Sequence, residues 1–465
     1  MGIWEELREY LDERCRRMHL AGVSACIRGP EGILFEYAQG RIREDGRKPD
    51  GDTVFGIASM SKSITALCLC LLEQEGKLSL EDPVTRYVPD FRVPGQPPEA
   101  VTIRHLCMHA SGLPPVECLE WSSAAHSGRK MDPDTEELMK HAPSDMGTIE
   151  EILDYLRTCP YPTTGAPGEQ MSYSNEGYAV LSYVVDAAAG EPLESYMKRR
   201  VFEPLGMTRT MLDNRFEESR AMAGENFTSL YCWDGERHTC DDDWTIIPPF
   251  RGCAMVKSTA RDMAAYYQAL AAWGVHEGRQ VLPREAVEKL IGKYHPLSSQ
   301  QTMCLGLYKR ETAGHVLCEH SGGLYGVSTK GGLLLDEGIG FSVLSNQSDE
   351  SMDSLMYAMV NALAGRPIAE SREWYVPSGQ VFSCPDMLSG TYACHEGTLS
   401  EIRVWTEAGE LRAEKNGTPL KMVHCGQTRF QGLDTDGSLY TRLEFVIRDG
   451  TCIGVRSASR MFARV

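Results

Sequence analysis

The sequence predicts a chain in two parts, a mixed α/β (α+β) body followed by a small all-β domain. Helical and strand-like segments are interspersed over residues 1–365, as in a domain that packs helices on a sheet. A change of composition follows near 366–385, where several prolines and glycines indicate a linker. From Leu388 onward, alternating segments recur between hairpin signals such as Asn416-Gly417, which predicts a β barrel of about 80 residues.

The spacing of apolar residues and the positions of turn-forming residues predict the helices and strands of the body. The predicted helices have apolar residues at helical spacing, and the predicted strands are short apolar or alternating runs beside glycine and proline. The helices cover 3–19, 149–158, 176–190 and 259–274, and the strands cover 22–28, 32–37, 331–335 and 340–345. A polar stretch over 116–148 predicts an insertion, which is a candidate lid. We therefore predict a domain over 1–368, a linker over 369–385 and a barrel over 386–465.

The segment from Ser59 to Lys62 contains the residues of a candidate catalytic site. Ser59 and Lys62 stand three residues apart at the start of an apolar run, and residues three apart on a helix share a face. The hydroxyl of Ser59 and the amine of Lys62 are then within reach of proton transfer, as an activated nucleophile requires. The spacing predicts covalent catalysis by Ser59.

Two further Ser-x-x-Lys sequences have the same spacing, and their context separates them from the first. The run after Ser59 is almost uncharged and apolar at helical spacing, so its helix is predicted to be buried. The sequence at 127–130 is a polar loop and that at 195–198 a charged helix end, so both lysines are predicted to be solvated. Burial and the positive end of the helix dipole would lower the pKa of Lys62, which predicts a neutral amine there.

The composition argues against several classes of function. The chain has 465 residues, of which 42% are hydrophobic and 24% charged, ordinary values for a globular protein of two or three domains. Its net charge of −18 argues against a nucleic acid or an anionic membrane as partner, because both require clustered lysine and arginine. The charged N-terminus lacks the apolar core of a signal peptide, and no run approaches the roughly 20 apolar residues that span a bilayer. We expect a cytoplasmic protein that acts on a small molecule or a short peptide.

The 16 cysteines are predicted to be reduced and mostly buried. They show no paired C-x-x-C spacing, and many stand in apolar runs, where cysteine packs as a small hydrophobe. One alternative is a zinc site of Cys232, His238 and Cys240, although no second close pair completes four ligands. The predicted chemistry uses neither a metal nor a cofactor.

Two motifs downstream complete a constellation. Tyr173-x-Asn175 precedes an apolar helical run, and His320-x-Gly322 lies upstream of a predicted strand. The order Ser-x-x-Lys, Tyr-x-Asn, His-x-Gly resembles the serine β-lactamase and penicillin-binding-protein-like hydrolases. Within them it resembles the branch of class C β-lactamases, D-alanyl-D-alanine carboxypeptidases, D-aminopeptidases and esterases.

The resemblance extends to the sequences around the motifs. The flanks at 102–114 and 202–207 are similar to the same branch, and the similarity covers roughly residues 10–350. It implies a β-lactamase/transpeptidase-like domain, in which helices flank an antiparallel sheet. The C-terminal barrel then resembles the lipocalin-like accessory domains of D-aminopeptidase-like members.

The resemblance implies a role for each residue of the first two motifs. Ser59 would be the acylated nucleophile and Lys62 its activating partner, whereas Tyr173 would act as general base and acid. Asn175 would hydrogen-bond Lys62 and the substrate amide. The sequence leaves open whether Tyr173 or Lys62 takes the serine proton, a question that is disputed elsewhere in this superfamily.

The third motif would line the substrate. By resemblance, the backbone N–H groups of Ser59 and Gly323 form the oxyanion hole, while Ser321 and Gly322 contact the substrate and His320 belongs to the catalytic set. His320 stands where β-lactamases and many carboxypeptidases have lysine, and an imidazole of ordinary pKa is only partly charged at neutral pH. Recognition of an anionic substrate end is therefore weakened, which favours an amidase, aminopeptidase or esterase.

The sequence thus predicts a serine hydrolase that forms an acyl-enzyme on Ser59. The favoured substrates are short peptides or amino-acid amides, with D-residues as one option, and a carboxylesterase is the runner-up. A β-lactamase or penicillin-binding protein is a further alternative, as is a non-catalytic binding protein on the same fold. The barrel is expected to restrict the cleft or to contribute to a homo-oligomer.

Overall fold

Two bodies of secondary structure make up the chain in the computed structural model, which describes residues 2–213, 215–297, 301–348, 350–371, 375–397 and 399–465. Within these residues the helices are α1 Ile3–Arg17, α2 Ser61–Gln74, α3 Ile103–Cys107, α4 Cys118–His126, α5 Pro133–Met139, α6 Ile149–Thr158, α7 Asn175–Ala189, α8 Leu193–Met197, α9 Glu217–Ala223, α10 Arg251–Ala254, α11 Ala260–Ala271, α12 Arg284–Leu290 and α13 Asp353–Leu363. The strands of the body are β1 Gly22–Gly29, β2 Gly32–Gly40, β3 Phe55–Gly56, β4 Met211–Leu212, β5 Leu230–Trp233, β6 His238–Asp241, β7 Val256–Ser258, β8 Val275–His276, β9 Arg279–Gln280, β10 His295–Pro296, β11 Gln301–Met303, β12 Tyr308–Thr312, β13 His315–Leu324, β14 Val327–Leu334 and β15 Ile339–Ser345. The barrel strands are β16 Gly390–Cys394, β17 Ser400–Glu407, β18 Glu410–Lys415, β19 Thr418–His424, β20 Arg429–Leu433, β21 Leu439–Arg448, β22 Thr451–Ser457 and β23 Arg460–Arg464.

An eight-stranded antiparallel sheet lies at the centre of the body, in the order β10-β11-β12-β13-β14-β15-β1-β2. Helices α1 and α13 pack on one face, where Leu7 and Met356 belong to a common apolar cluster. Helix α11 packs on the other face, against β15 and β1, and the remaining helices extend the core beyond it. The predicted antiparallel sheet flanked by helices is confirmed.

Helix α2 is the buried axis of the body. Every residue from Ser61 to Leu72 is buried, and the helix packs against α7, α10 and α12. A helix that is apolar all round belongs in a core, as its sequence predicts. By contrast, Lys130 and Lys198 of the other two Ser-x-x-Lys sequences are exposed, in agreement with the solvated state predicted for them.

The sequence locates most elements closely but shortens two strands. Strand β2 ends at Gly40 rather than at residue 37. Helix α6 has the predicted bounds, and α7 begins one residue earlier than predicted. Strand β14 begins at Val327 rather than at residue 331, because its polar N-terminal half is buried. Thr329 Oγ1 donates to the Ile57 carbonyl at 3.1 Å, and Lys330 pairs with Glu319. Partners that are distant in sequence thus satisfy the hydrogen-bonding groups of these polar side chains. The sequence alone did not place them in a strand.

The C-terminal strands β16 to β23 close into a barrel, as predicted, with β16 paired to β23. Its core contains the rings of Tyr392, Phe430 and Phe445. Between the end of α13 and a short helix at Pro385–Leu388, the described residues form no helix or strand, and the domain boundaries stay a prediction. The barrel contacts the body near Tyr173, whose backbone N–H donates to the Ser459 carbonyl at 2.8 Å.

The structure can be compared with the predictions made for the cysteines, for membrane-spanning segments and for a zinc site. All sixteen cysteines lie in the described residues, where all are free and most are buried, as predicted. Their reduced state stays a prediction. In the same residues, no helix has the length and apolar character to cross a bilayer. The possible metal-ligand group found there is His315, Asp336 and Glu337, so the alternative zinc set of Cys232, His238 and Cys240 does not converge.

Gly340 fixes the distance between the sheet and α11. A Cβ at this position would lie 2.1 Å from the backbone nitrogen of Gln268 and 2.4 Å from the carbonyl oxygen of Ala264. Because these are backbone atoms of a packed helix, we predict that Gly340→Ala lowers the free energy of unfolding by about 2–3 kcal/mol in urea titrations. Gly29→Ala is the control, since only the flexible Leu34 side chain lies nearby, at 3.2 Å. Equal losses for the two variants would contradict the packing argument.

Candidate active site

Ser59 lies on a 3₁₀ turn, Ala58–Met60, that leads into α2. Ala58 has a φ of +46°, an uncommon conformation for a residue with a side chain, and such strain is often stored at functional sites. The hydroxyl of Ser61 donates to the Ala58 carbonyl at 2.7 Å and so holds the turn. Ser59 is half-buried while Ala58 and Met60 are buried, so the turn presents the Ser59 side chain to a cleft.

The Lys62 side chain is fully buried and surrounded by oxygen atoms. Its Nζ lies 3.0 Å from Ser59 Oγ, 3.0 Å from Asn175 Oδ1 and 3.2 Å from the Cys253 carbonyl oxygen. With the Cys253 Sγ, also at 3.2 Å, four acceptors surround Nζ, more than the two N–H groups of a neutral amine can serve, so the arrangement favours an ammonium ion.

The charge state of Lys62 therefore differs from the sequence expectation. Burial acts to lower the pKa of Lys62, but the Cys253 thiol and the Tyr173 phenol favour the ammonium more strongly, and the pKa is raised above its ordinary value. The expectation of a neutral amine is wrong, because it counted burial and not the partners that the fold supplies. Lys62 is placed as a hydrogen-bond donor to Ser59.

Tyr173 is held between aromatic and cationic groups. His109 stacks on its ring at 4.1 Å between centroids, Lys62 Nζ lies 4.8 Å from the ring centre, and the Arg460 guanidinium lies 4.2 Å from it. His109 also accepts a hydrogen bond from the Ser174 backbone N–H at 3.1 Å. Burial and the Lys62 charge lower the pKa of His109 well below its ordinary value, so it is a neutral support for Tyr173.

His320 is neutral rather than partly charged. It is 3% exposed, and burial, with a smaller effect of Lys62, lowers its pKa to about 3. Its Nδ1 donates to the Ser321 carbonyl at 2.5 Å, which leaves Nε2 as an acceptor with no partner among the described residues. The cation that the third motif carries in β-lactamases is therefore absent from this position at neutral pH.

The free edge of β13 borders the cleft. Strand β12 pairs with β13 only from His315 to Glu319, so residues 320–324 have no strand partner on that side within the described chain. Ser321 and Gly323 are exposed along this edge. A Cβ on Gly323 would meet nothing within 4 Å, whereas one on Gly322 would lie 2.3 Å from the Ile57 carbonyl oxygen. Glycine at 322 thus serves the packing of the strand on the Ser59 turn, and glycine at 323 leaves room for a substrate.

The barrel contributes three residues to the cleft that the sequence did not reveal, Ser459 and an ion pair. Glu396, from the β16–β17 connection, and Arg460, at the start of β23, form an ion pair and line the same cleft of about 450 Å³ as Ser59. Asn175 Nδ2 donates to Glu396 Oε1 at 3.2 Å. Polar contacts therefore connect Lys62, through Asn175, to the barrel.

A carboxyl group without a partner also lines the cleft. Glu120 extends from α4 of the insertion, and its Oε2 is enclosed with no hydrogen-bond partner in the described residues. Burial, together with the nearby Glu176, raises the pKa of Glu120 to about 8. The sequence singled out the insertion as a lid, but no motif marked this side chain.

Residues 7–366 match the family model described as Beta-lactamase. The chain belongs to the Beta-lactamase family. As a member of that family it is a serine hydrolase with the β-lactamase/transpeptidase-like fold. The predicted family, fold and enzyme class are therefore confirmed.

Known relatives of this Beta-lactamase family chain differ in their described activities. Penicillin-binding protein 4* of Bacillus subtilis (strain 168) is 25% identical over 423 residues, 86% of this chain and 85% of that protein. Esterase EstB of Burkholderia gladioli is 34% identical over 200 residues, 42% of this chain and 48% of the esterase. The octameric penicillin-binding protein homologue from Pyrococcus abyssi has a TM-score of 0.68 and 23% identity over 98% of both chains. The shared fold thus includes the barrel.

The ion pair between Glu396 and Arg460 offers a test of the coupling between the barrel and Ser59. We predict that Glu396→Gln and Arg460→Gln each slow labelling of Ser59 by a fluorophosphonate roughly 10-fold, and that the double variant is no slower than either. The reason is that both act through one contact network around Asn175 and Tyr173.

A second ion pair between barrel and body supplies the matched control. Arg448 and Glu169 pair at the surface, with side chains 43% and 37% exposed. Neutralising Arg448 as Arg448→Gln should leave the labelling rate unchanged. Equal slowing by this variant, or additive losses in the Glu396 and Arg460 double variant, would contradict a specific contribution to the cleft.

Proposed function

We propose that the protein hydrolyses amide bonds of short peptides or amino-acid amides that carry a free amino group. The observation that carries this proposal is the unpartnered carboxyl group of Glu120 in the cleft of Ser59. A substrate ammonium group would supply the missing donor and would favour ionisation of this carboxyl, whose pKa burial raises to about 8 in the free protein. The neutral His320 supports the same choice, because it offers no cation for an anionic group at the third motif.

In the proposed reaction, Ser59 Oγ attacks the substrate carbonyl carbon while Tyr173, in its phenolate form, takes the Ser59 proton and becomes a neutral phenol. Lys62 already donates to three oxygen atoms and cannot accept that proton, so in this proposal it orients Ser59 and stabilises the phenolate form of Tyr173 before the proton is transferred. The backbone N–H groups of Ser59 and Gly323 receive the oxyanion. Tyr173 then gives the proton to the leaving nitrogen as the C–N bond breaks.

Deacylation reverses these roles. A water molecule attacks the acyl carbon, Tyr173 accepts a proton from the water and returns it to Ser59 Oγ as the ester bond breaks. A carboxylesterase is the second candidate, and the similarity to Esterase EstB favours it. The same residues would serve an ester, since an alcohol replaces the amine as leaving group.

Location and assembly belong to the proposal as well. Sixteen free cysteines support a reducing, cytoplasmic environment. The octameric homologue with the same fold supports a homo-oligomer. A preference for D-residues stays a prediction, which hydrolysis of paired D- and L-aminoacyl amides would decide.

Covalent chemistry on Ser59 is tested by intact-mass measurement. We predict that a fluorophosphonate adds one adduct to the wild-type protein and none to Ser59→Ala, because the 3.0 Å contact with Lys62 orients this hydroxyl for attack. Absence of a Ser59-dependent adduct would refute the mechanism. A stable adduct with a penicillin in the same assay would instead favour a penicillin-recognising enzyme.

The role of Glu120 is tested by comparing aminoacyl p-nitroanilides with their N-acetylated forms. We predict that Glu120→Gln lowers kcat/KM for the free-amine substrates by roughly 10- to 100-fold, because a charged hydrogen bond is lost, and changes the N-acetyl series far less. Glu137→Gln is the control, since Glu137 is exposed on the same insertion and pairs with Lys140. A similar loss in both substrate series would show that Glu120 does not bind the amino group.

A further inference from the structure

A second cavity, of about 400 Å³, lies between the sheet and the barrel; we call it the interdomain chamber. It shares Tyr308, His320, Ser321 and Ser459 with the cleft of Ser59, so the two spaces adjoin. The Tyr308 hydroxyl donates to Ser459 Oγ at 2.8 Å across the boundary. The wall between the spaces is therefore a few polar side chains thick.

The charge of the interdomain chamber is opposite in sign to that of the chain. Cationic side chains in its lining outnumber anionic ones by five to three, although the net charge of the chain is −18. The cations are Arg310, Lys330, Lys415, Arg442 and Arg456, and the anions are Glu319, Asp353 and Glu444. The anions are already engaged, since Glu319 and Asp353 pair with Arg310 and Lys330, and Glu444 pairs with Arg456.

Two cations of the barrel, Lys415 and Arg442, form no salt bridge with the described residues, although Arg442 lies near enough to Asp353 to help lower the pKa of that carboxyl. Lys415, at the end of β18, donates to Ser457 Oγ at 3.2 Å, and burial lowers its pKa. Arg442, on β21, is half-buried, and its Nε is enclosed without a hydrogen-bond partner. Charges that are half-buried and lack a salt bridge are partly desolvated, and an anionic ligand would offset that cost.

The chamber lies on the side of the cleft where the leaving group of the proposed reaction would be. Ser459, in its wall, accepts the Tyr173 backbone hydrogen bond at 2.8 Å, and the His320 ring centre lies 5.9 Å from that of Tyr173. In the proposed function Tyr173 protonates the leaving nitrogen, so the leaving group lies on this side of the cleft. Glu120 lines the cleft but not the chamber, which separates the two ends of a substrate.

We propose that the interdomain chamber binds the C-terminal carboxylate of the leaving part of a short peptide, through Arg442 and Lys415. This inference rests on the proposed amide hydrolysis and narrows its substrates to peptides that end in a free carboxylate. The barrel then supplies the cations that His320 does not. A carboxylate held by two charged donors gains affinity over the corresponding amide.

Binding to an inactive variant tests the chamber without turnover. Calorimetry on Ser59→Ala would compare the stereoisomers of alanyl-alanine with their C-terminal amides. We expect the preferred dipeptide to bind at least about 10-fold tighter than its amide, and Arg442→Gln in the same background to remove that difference. Lys421→Gln, an exposed lysine of β19 outside the chamber, should retain it, and Arg442→Lys should restore part of it.

Steady-state kinetics then separates failure of this inference from failure of the proposed function. In the Ser59-containing enzyme, the ratio of kcat/KM for dipeptide over dipeptide amide should fall roughly 10- to 100-fold in Arg442→Gln and stay constant in Lys421→Gln. Hydrolysis of dipeptide and dipeptide amide at equal efficiency would overturn the proposed carboxylate site in the chamber but would leave the proposed amidase activity standing. Absence of any amide hydrolysis would overturn the proposed function. Inorganic phosphate could instead bind in an Arg442-dependent way while the dipeptide shows no preference over its amide. That result would show that the chamber binds a free anion and would overturn the inference.

Discussion

The buried charge of Lys62 is the constraint on which the site depends. An ammonium ion with no exposure to water is tolerated only where acceptors surround it, and the turn before α2, α7 and α10 each provide one. These three elements must therefore meet at one point, which places Ser59 beside Asn175. Since Asn175 also donates to Glu396, the position of the barrel is tied to the same charge.

Local pattern in the sequence was sufficient for the parts of the site that lie on one helix. Ser59 and Lys62 are on one face of a turn and its helix, and the uncharged run behind them correctly predicted a buried helix. The charge of Lys62 could not be predicted in the same way, because it depends on Cys253, which is 191 residues away in sequence. Burial considered alone predicted a lowered pKa for Lys62, whereas the pKa is raised. The partners that reverse it are visible only in the fold.

The same limit explains the residues that sequence reasoning missed. His109 stood within a flank used for the family resemblance, but its role arises from stacking on Tyr173, which no spacing predicts. Glu396 lies in the connection between β16 and β17, and Arg460 is the first residue of β23, positions where charged residues are ordinarily solvated. Closure of the barrel brings these two turns together, and only then does an ion pair face the cleft. Thus the sequence predicted the family, the enzyme class and the architecture, while the ion pair at the cleft depends on the contact between the two domains.

The barrel differs from a mobile lid in how it can influence the reaction. Ser459 and Arg460 are adjacent residues at the turn into β23, and together they contact the backbone and the ring of Tyr173. Because the barrel is closed, each of its strands is hydrogen-bonded to a neighbour on both sides, which connects its turns through one continuous sheet. A displacement of the barrel would therefore shift the groups around Tyr173 and the lining of the interdomain chamber together. It follows that catalytic geometry and the space for the leaving group cannot vary independently in this chain, and that substitutions at this interface should alter kcat and substrate selection together.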